Sequence, residues 1–344
     1  MARRKKTFYA AFLVFYITLS IQSRSCMGSV YGASFLEIGV GARAIGMGSA
    51  FCSIADDGTA FFWNPAGIGF IEKSTLSGMY GPQFGSFKNP MGSYHFIGIT
   101  HPLPGNGVLG INWIRLSVDD IPIYSALDGD SYWERLHDIS LRPSGEAEGY
   151  INDVEDAFFF TFALMNSFKL DLGWEYHEME VKMPIGVNLK WIRQSLGEGE
   201  ATGIGIDVGA VIVFPVSEFF EKDYLGTFRF GLNIQDITGT KIGWNTKHQD
   251  PVPTNFKWGI SYSQPISDKT TYILVSYDRD SRWHGKDRFG LEFVAYGVLG
   301  LRAGSDNGNL TGGVGIRFWK IDLNYGFISH ELNFLHRISC SINF

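Results

Sequence analysis

The stretch GIGIDVGAVIVF, residues 203–214, alternates between apolar side chains and glycine or a charged residue. Successive side chains of a β-strand point to opposite faces, so a period of two predicts a strand. The apolar face of this strand carries Ile204, Ile206, Val208, Ala210, Ile212 and Phe214. The opposite face carries Gly205, Asp207 and Gly209.

The same alternation recurs in RFGLEF (288–293), KIDLNYGF (320–327) and ELNFLHRISCSINF (331–344). Strands of a soluble β-sandwich also alternate, but a sandwich buries its apolar faces and leaves the charged faces in water. Here the apolar faces are long and continuous, which favours a transmembrane antiparallel β-barrel with lipid outside and charges inside. The charged residues expected to face the lumen are Lys190, Asp207, Arg229, Lys257, Arg288, Glu292, Arg302, Arg317 and Arg337.

The pattern predicts an all-β barrel of about fourteen strands, an even number that returns the chain to its starting side. We expect short turns at Pro102 to Gly107, Gln264 to Lys269 and Gly297 on the periplasmic side, and long extracellular connections at 118–155 and 236–253. The predicted strands are 72–80, 91–102, 107–117, 156–167, 180–194, 202–215, 224–235, 254–264, 270–279, 287–296, 298–305, 309–318, 319–328 and 332–344.

Composition agrees with this fold class. Charged residues make up 19%, aromatic residues 15%, and the mean hydropathy is near zero. An apolar lipid face combined with a polar lumen gives such an intermediate average. Tyrosine and tryptophan recur near predicted strand ends, as in the aromatic girdles of membrane barrels, although aromatic residues also favour strands in general. These positions are Tyr80, Trp113, Trp191, Trp258, Tyr296, Trp319 and Tyr325.

The N-terminus has the pattern of a secretory signal peptide. Basic residues at 3–6 precede an apolar run at 8–21, which is short for a membrane-spanning helix. We predict a signal peptide at 1–28, a hatch or plug at 29–70 and the barrel at 71–344. Removal of residues 1–26 takes away five basic residues and no acidic one, and changes the net charge from −6 to −11. This acidic balance argues against nucleic acid as a partner.

Three cysteines are too few for a disulfide framework. Cys26 lies in the signal region, where a lipoprotein cysteine is an alternative interpretation. Cys52 and Cys340 remain in the mature chain.

The segment GARAIGMGSAFCSIADDGTAFFWNPAG, residues 41–67, is rich in glycine but matches no phosphate loop. Its glycine spacing differs from the dinucleotide fingerprint, and Met47 stands where a P-loop has lysine. We expect a short helix at 57–63, capped by Asp56 and ended by Asn64-Pro65. Its small residues suit close packing inside a barrel. We expect Arg43, Asp56 and Asp57 to pair with the charged residues that face the lumen, because an unpaired buried charge is costly. The residues expected to form the gating hatch are Arg43, Asp56, Asp57, Trp63, Asn64 and Pro65.

The segments GARAIGMGSAF, ADDGTAFFWNPAG, PTNFKWGISY (253–262) and HRISCSINF (336–344) resemble PorV/PorQ-family outer-membrane proteins, within the wider FadL-type group. The resemblance implies a fourteen-stranded outer-membrane barrel plugged by its N-terminus, with both termini periplasmic. FadL-type proteins pass hydrophobic molecules by a lateral or periplasmic route opened through the hatch. PorV-type proteins attach to the type IX secretion apparatus and receive cargo proteins. The long 118–155 insertion departs from the compact PorV pattern.

No catalytic, cofactor or metal-binding constellation occurs in the sequence, so we expect no enzyme activity. His95 and His101 lack a cysteine or carboxylate cluster at ligand spacing. Asp119-Asp120 lacks the D-x-D-x-D-G pattern of a calcium loop.

Two functions remain open, beside a purely structural barrel. The first is transport of a hydrophobic, fatty-acid-like molecule, captured by Tyr124, Trp133 and Leu136 of the long loop and admitted when the hatch moves. The second is a protein-binding component of a secretion system. The expected partners are outer-membrane lipid and either a hydrophobic small molecule or secretion-system proteins.

Overall fold

The computed structural model describes residues 32–344, except 86–87, 125–128, 130, 142–144, 172, 174–177, 268–269, 283–284 and 331–332. The predicted signal peptide, residues 1–28, lies outside the described residues. Among the helices of the described chain, none combines the length and the apolar character needed to cross a membrane.

Fourteen antiparallel strands form a closed ring, and the ring closes where β1 pairs with β18, with Thr75 opposite Asn343. The predicted antiparallel barrel of about fourteen strands is therefore confirmed. The strands of the wall are β1 (Thr75–Gly85), β2 (Pro90–Pro102), β3 (Gly107–Ile123), β4 (Gly149–Leu164), β7 (Ile185–Leu196), β8 (Gly199–Pro215), β9 (Thr227–Gln235), β12 (Asn255–Pro265), β13 (Tyr272–Asp280), β14 (Lys286–Ala295), β15 (Leu299–Asp306), β16 (Asn309–Phe318), β17 (Ile321–Ser329) and β18 (Phe334–Asn343).

Burial along the wall strands alternates with the sequence. In β14, the outward Phe289 and Leu291 are 54% and 47% exposed, whereas the inward Arg288 and Glu292 are 6% and 1% exposed. Apolar side chains thus lie outside and charged side chains inside, the reverse of a soluble protein and the arrangement of a membrane barrel.

Two hairpins are added to the ring at connections. The first, β5 (Ser167–Asp171) with β6 (Glu178–Lys182), lies between β4 and β7. The second, β10 (Lys241–Trp244) with β11 (Gln249–Pro251), lies between β9 and β12 and pairs with β8. The long connection predicted at 236–253 is present between β9 and β12, and part of it extends the sheet as this hairpin.

The predicted loop at 118–155 is too long. Strand β3 continues to Ile123 and β4 begins at Gly149. A register shift between Val118 and Ile121 lets the strand continue through Asp119-Asp120, where Asp120 has φ 57°. Such a bulge inserts extra residues without ending the pairing, so polar residues there did not signal a loop.

The connections fall at two ends of the barrel. The turns after β2, β12 and β14 lie at the end where β18 stops, which we name the turn end. The long connections between β3 and β4 and between β9 and β12 lie at the opposite end, which we name the loop end. The predicted grouping of these connections agrees with the structure, although the turn end also carries the β5–β6 hairpin.

Helices in the described residues are few and short. They are α1 (Ala42–Gly46), α2 (Ala60–Trp63), α3 (Tyr132–His137) and α4 (Val216–Phe220), with 3-10 helices at Ser34–Glu37, Pro65–Phe70 and Ile139–Leu141. Helix α2 ends before Asn64-Pro65 as predicted, and Asn64 is extended at φ −161° and ψ 109°.

The predicted start of this helix is wrong. It begins at Ala60 rather than at residue 57, and the side chain of Asp56 does not cap it. The carboxylate of Asp56 is instead held by Arg43 and Arg229, whose full charges attract it more strongly than backbone N–H groups do. Asp57 accepts from the backbone N–H of Thr59 at 2.9 Å.

Candidate functional site

The segment before β1, residues 32–71, lies in the bore and is named here the N-terminal segment. Helix α1 packs against β15 to β18, whereas Pro65–Phe70 packs against β3, β4, β7 and β8 on the other side of the ring. Gly32 lies beside Asp250 and Pro251 at the loop end, and the segment joins β1 at the turn end. Phe344 donates its backbone N–H to the carbonyl oxygen of Ser74 there, so residue 32 and the C-terminus lie at opposite ends. The N-terminus, predicted to be periplasmic like the C-terminus, lies outside the described residues.

Glycines in the wall allow the backbone of the N-terminal segment to approach it closely. A Cβ at Gly186 would lie 2.4 Å from the backbone of Pro65, and one at Gly326 would lie 2.4 Å from the carbonyl oxygen of Ala42. Neither backbone can move aside as a flexible side chain could, so these positions require glycine. Further wall glycines that contact this segment are Gly209, Gly231, Gly290, Gly304 and Gly313.

The side chain of Asn64 fixes the N-terminal segment to the wall by hydrogen bonds rather than by strand pairing. Its Nδ2 donates to the carbonyl oxygens of Cys52, Ala210 and Leu232 at 2.9, 3.1 and 3.2 Å. Its Oδ1 accepts from the backbone N–H of Ala66, which starts the 3-10 helix that has Pro65 in its first turn. Trp63 donates its indole N–H to the carbonyl oxygen of Val40 at 2.8 Å. The Asn-Pro-Ala motif therefore joins two parts of the segment to two wall strands.

Six charged side chains meet at the turn end and are named the turn-end cluster: Arg43, Asp56, Asp57, Arg229, Glu292 and Arg302. Arg43 contacts Asp56 at 2.6 Å, Asp57 at 3.5 Å and Glu292 of the wall at 3.0 Å. Arg229 of the wall contacts Asp56 at 3.2 Å. Arg302 of the wall contacts Glu292 at 2.7 Å. Three positive charges thus balance three negative ones across the boundary between segment and wall.

These contacts shift the pKa values of charged side chains in the N-terminal segment. Burial alone would raise the pKa of Asp56, but Arg43 and Arg229 hold it below its ordinary value. Burial alone would lower the pKa of Arg43, but Glu292 and Asp56 hold it well above its ordinary value.

A second group of six charges, the loop-end cluster, consists of Glu37, Lys190, Asp207, Asp236, Arg282 and Lys286. Arg282 contacts Glu37 of the N-terminal segment at 2.6 Å and Asp236, which directly follows β9, at 3.0 Å. Lys190 contacts Asp236 at 2.7 Å and Asp207 at 2.8 Å. Burial would raise the pKa of Glu37, but Arg282, Lys257 and Lys286 lower it to about 2.

One part of the wall meets the N-terminal segment through apolar contacts instead. The ring of Phe61 stacks on Phe96 with a centroid distance of 5.3 Å and meets Phe159 edge to face at 5.0 Å. We name the inward apolar side chains of β2, β3, β4 and β7 the apolar sector: Tyr94, Phe96, Ile114, Phe159 and Ile192.

A cavity of about 670 Å³ opens at the turn end beside the turn-end cluster. Its lining includes Arg43, Asp56, Arg229 and Glu292, together with Phe70 of the N-terminal segment. The cavity is therefore mostly polar and is bounded on one side by the segment that fills the bore.

The structure brings eight of the nine predicted lumen charges inside the barrel. Arg288 contacts Asp280 at 2.7 Å and Asp306 at 3.0 Å. Lys257 lies over the rings of Phe62 and Trp63, at 5.8 and 5.7 Å from their centroids. The exception is Arg317, whose side chain is 64% exposed at the strand end, where it pairs with Asp322.

The predicted capture residues lie elsewhere. Tyr124, Trp133 and Leu136 are exposed in the connection between β3 and β4 at the loop end, away from the turn-end cavity. Trp133 contacts Tyr132 and His137 of its own helix. The exposed fractions of Tyr124, Trp133 and Leu136 are 52%, 66% and 43%.

Sequence reasoning did not identify Glu37, Asp236 and Arg282 as parts of a charge cluster. Glu37 was not identified because its partner Arg282 is 245 residues away along the chain. The prediction that Lys190 faces the lumen implied a partner carboxylate, since a buried charge is costly alone. That requirement was the available signal for Asp236.

Among the described residues, no group of three or more His, Cys, Asp or Glu side chains is arranged to hold a metal ion.

The wall strands and the contacts in the bore together define a membrane-type β-barrel whose interior is occupied by its own N-terminal segment.

The barrel fold is similar to that of two solved structures. The Pseudomonas putida toluene transporter TodX superposes with a TM-score of 0.52 at 12% identity, covering 92% of this chain and 100% of that chain. The CymD monoaromatic hydrocarbon channel superposes with a TM-score of 0.50 at 12% identity, covering 89% and 98%. At this level of identity the likeness shows a common fold. No protein-family profile and no curated protein matches the sequence.

Proposed function

We propose that this protein is an outer-membrane channel for hydrophobic small molecules, gated by residues 32–71. The observation that carries the proposal is how this segment is held. It fills the bore through ion pairs, side-chain hydrogen bonds and apolar contacts, and does not pair with the wall as a strand. Movement of the segment would therefore leave the fourteen-stranded ring intact.

Three further observations support the proposal. The interior combines an apolar sector with charged clusters, and pockets for apolar ligands are built from apolar walls with a few placed polar groups. Exposed Tyr124, Trp133 and Leu136 offer a first contact for ligand at the loop end. The barrel fold is shared with TodX and CymD, whose names describe a toluene transporter and a hydrocarbon channel. In this proposal the turn end and the C-terminus face the periplasm.

The test is a reversible lock on the N-terminal segment. A Cβ at Gly32 would lie 3.3 Å from the Cβ of Asp250, slightly less than the usual separation in disulfides, so Gly32→Cys with Asp250→Cys would tether the start of residues 32–71 to the β10–β11 hairpin. Uptake of a fluorescent apolar dye is measured in proteoliposomes before and after oxidation. We expect oxidation to stop uptake and reduction to restore it.

The single variant Gly32→Cys is the matched control, and its uptake should not respond to oxidation. Uptake by the tethered form equal to that of the reduced form would refute gating by this segment. Absence of dye uptake by the reduced protein and the parent protein alike would refute transport itself.

A secretion role of the PorV type is a second candidate. The observation that favours it is the loop-end surface at α3, where Tyr132, Trp133 and Ile139 are 67%, 66% and 75% exposed. Exposed aromatic and apolar side chains in one region are typical of protein-binding sites. A native purification that yields a stoichiometric secretion complex, lost in Trp133→Ala but kept in Leu310→Ala on the barrel exterior, would favour this function over transport.

A further inference from the structure

Two arginines lie in one row on the outward face of the barrel, near the loop end. The antiparallel register places Arg115 of β3 and Arg193 of β7 on either side of Asp156 of β4. The side chains of Arg115 and Arg193 are 41% and 49% exposed, whereas the side chain of Asp156 is 8% exposed. The row therefore presents two guanidinium groups outward and keeps the carboxylate between them covered.

An aromatic row adjoins the charged row on the side of the turn end. Trp113, Phe158 and Trp191 occupy the next outward positions of the same three strands. The ring of Phe158 stacks on both tryptophans, with centroid distances of 6.4 Å to Trp113 and 5.4 Å to Trp191. Tryptophan is enriched where the hydrocarbon of a membrane meets the lipid head groups, so this row marks such a boundary.

From the aromatic row towards the turn end, the outward face of these strands is apolar. Its exposed residues are Leu109 and Ile111 on β3, Phe160, Phe162 and Leu164 on β4, and Ile185, Val187 and Leu189 on β7. An outward arginine is costly at the middle of a bilayer and costs much less near the interface. The two arginines therefore lie at the level of the lipid head groups.

Asp156 holds Arg115 in a fixed orientation. Its carboxylate accepts from Nε and Nη2 of Arg115, each at 2.8 Å, and from the indole N–H of Trp113 at 2.8 Å. The guanidinium carbon of Arg115 also lies 5.0 Å from the centroid of the Trp113 ring. Because these contacts use two of the five N–H donors of a guanidinium group, Arg115 retains donors for a second acceptor.

Arg193 is held more loosely. Its Nη2 contacts Glu200 at 3.1 Å, and the side chain of Glu200 is 63% exposed. An exposed pair of this kind contributes little stability, so a stronger acceptor can replace Glu200. Neighbouring strands are about 4.8 Å apart, which places the backbones of Arg115 and Arg193 about 10 Å apart. Two long side chains can reach one group across that distance.

A phosphate on a lipid matches both the charges and their position. Guanidinium groups bind phosphate oxygens through parallel N–H donors. The apolar and aromatic surface below the arginines can pack against the acyl chains of the same molecule. A zwitterionic head group carries its own cation and gains less from the two arginines than an anionic head group does.

We propose that Arg115 and Arg193 bind the phosphate of an anionic lipid in the leaflet at the loop end. The site lies on the outer wall of the barrel, so it does not depend on transport through the bore.

The experiment compares two lipids that share their acyl chains. Binding of dioleoylphosphatidylglycerol and dioleoylphosphatidylcholine to the protein in non-ionic micelles is measured by native mass spectrometry. An arginine near an anionic head group contributes about fivefold in affinity, so we expect a preference of about tenfold or more for phosphatidylglycerol. Arg193→Gln should lower this preference about fivefold. Arg115→Gln combined with Arg193→Gln should abolish it and leave phosphatidylcholine binding unchanged.

The matched control is Arg279→Gln. Arg279 of β13 is 47% exposed and contacts Asp287 at 2.9 Å, but its neighbours in the row are Trp258 and Asp287 rather than a second arginine. The preference for phosphatidylglycerol should therefore stay at the parent value. A loss as large as that in Arg193→Gln would show general attraction to the charge of the barrel and overturn the site.

A second variant of Arg193 keeps the test informative if the double variant does not fold. Arg193→Lys retains the charge and loses the planar fork of donors, so its preference should lie between those of Arg193→Gln and the parent protein. A preference in both single variants equal to that of the parent protein would overturn the proposal. Equal affinity of the parent protein for the two lipids would do the same.

Inorganic phosphate distinguishes a lipid from a free anion. Retention of phosphatidylglycerol in a large excess of inorganic phosphate supports a head group that is held together with its acyl chains. Complete displacement would overturn the lipid and leave a site for free phosphate.

Discussion

The two halves of the inner wall hold the same N-terminal segment by different physics. On β2 to β4 and β7, the apolar sector packs against Phe61 through ring contacts of 5.0 and 5.3 Å. Across the bore, on β14 and β15, Glu292 and Arg302 belong to a charged cluster that engages Arg43 at 3.0 Å. Apolar contact depends on buried area and tolerates small shifts, whereas a buried ion pair fails when one partner leaves. The charged half therefore specifies the position of the N-terminal segment, and the apolar half adds stability to its packing in the bore.

The largest effect is expected from Glu292→Ala in the charged half. The variant leaves Arg43 and Arg302 without their shared carboxylate, and loss of one partner from a buried ion pair costs about 3–5 kcal/mol. We expect a lower free energy of unfolding in guanidinium, followed by tryptophan fluorescence, and larger single-channel conductance in planar bilayers.

The matched control is Glu200→Ala. Glu200 pairs with Arg193 at 3.1 Å, but both side chains are about half exposed or more, so the expected cost is below about 1 kcal/mol. Equal losses in the two variants would contradict the role assigned to the charged half.

The second-largest effect is expected from acidification, which should weaken the loop-end cluster. The folded pKa of Glu37 is about 2, lower than its ordinary value of 4.5, so its ion pairs stabilise the seated segment fully above about pH 4.5. This contribution falls as the pH drops from 4.5 towards 2, because protonation then favours the released segment. Protease cleavage of residues 32–71 in bilayers should increase over this range.

In Glu37→Gln the contribution of this carboxylate is absent at every pH. The cleavage rate of that variant should therefore be higher at neutral pH and change less on acidification. A parallel pH response in the variant and the parent protein would assign the effect to other groups.

A smaller effect is expected from Asp56→Ala combined with Asp57→Ala. Both side chains are more than a quarter exposed, so their pairs with Arg43 and Arg229 should contribute about 1–2 kcal/mol, between exposed and fully buried pairs. We expect a looser segment and higher conductance to small solutes. Unchanged conductance in planar bilayers would exclude these aspartates from gating.

The smallest effect is expected in the apolar half, from Ile192→Val. Ile192 is fully buried, and removal of one methyl group from a core costs about 0.5–1.5 kcal/mol. Stability should fall slightly while conductance stays at the parent value, since packing is weakened and position is retained. An open channel in this variant would show that both halves specify position.

Much of the wall was predictable from sequence because strand alternation is local. Phe289, Leu291 and Glu292 took their predicted faces, and the ring has the predicted number of strands. The bulge in β3 and the β10–β11 hairpin were missed, since polar residues at strand ends resemble loops. Asp56 pairs with Arg229 of the lumen as predicted, but it does not cap the helix, because Arg43 and Arg229, which are 13 and 173 residues away, hold its carboxylate.

The sequence alone determined that this chain forms strands with an apolar and a charged face, because side-chain direction depends on the immediate backbone. It also determined that the charged face needs partners. Tertiary structure decided which partners meet, because closure of the ring brings Thr75 opposite Asn343 and places residues 32–71 among strands that are distant along the chain. The apolar sector and the two charge clusters arise from that closure, since neighbours around a barrel are set by register and not by sequence separation.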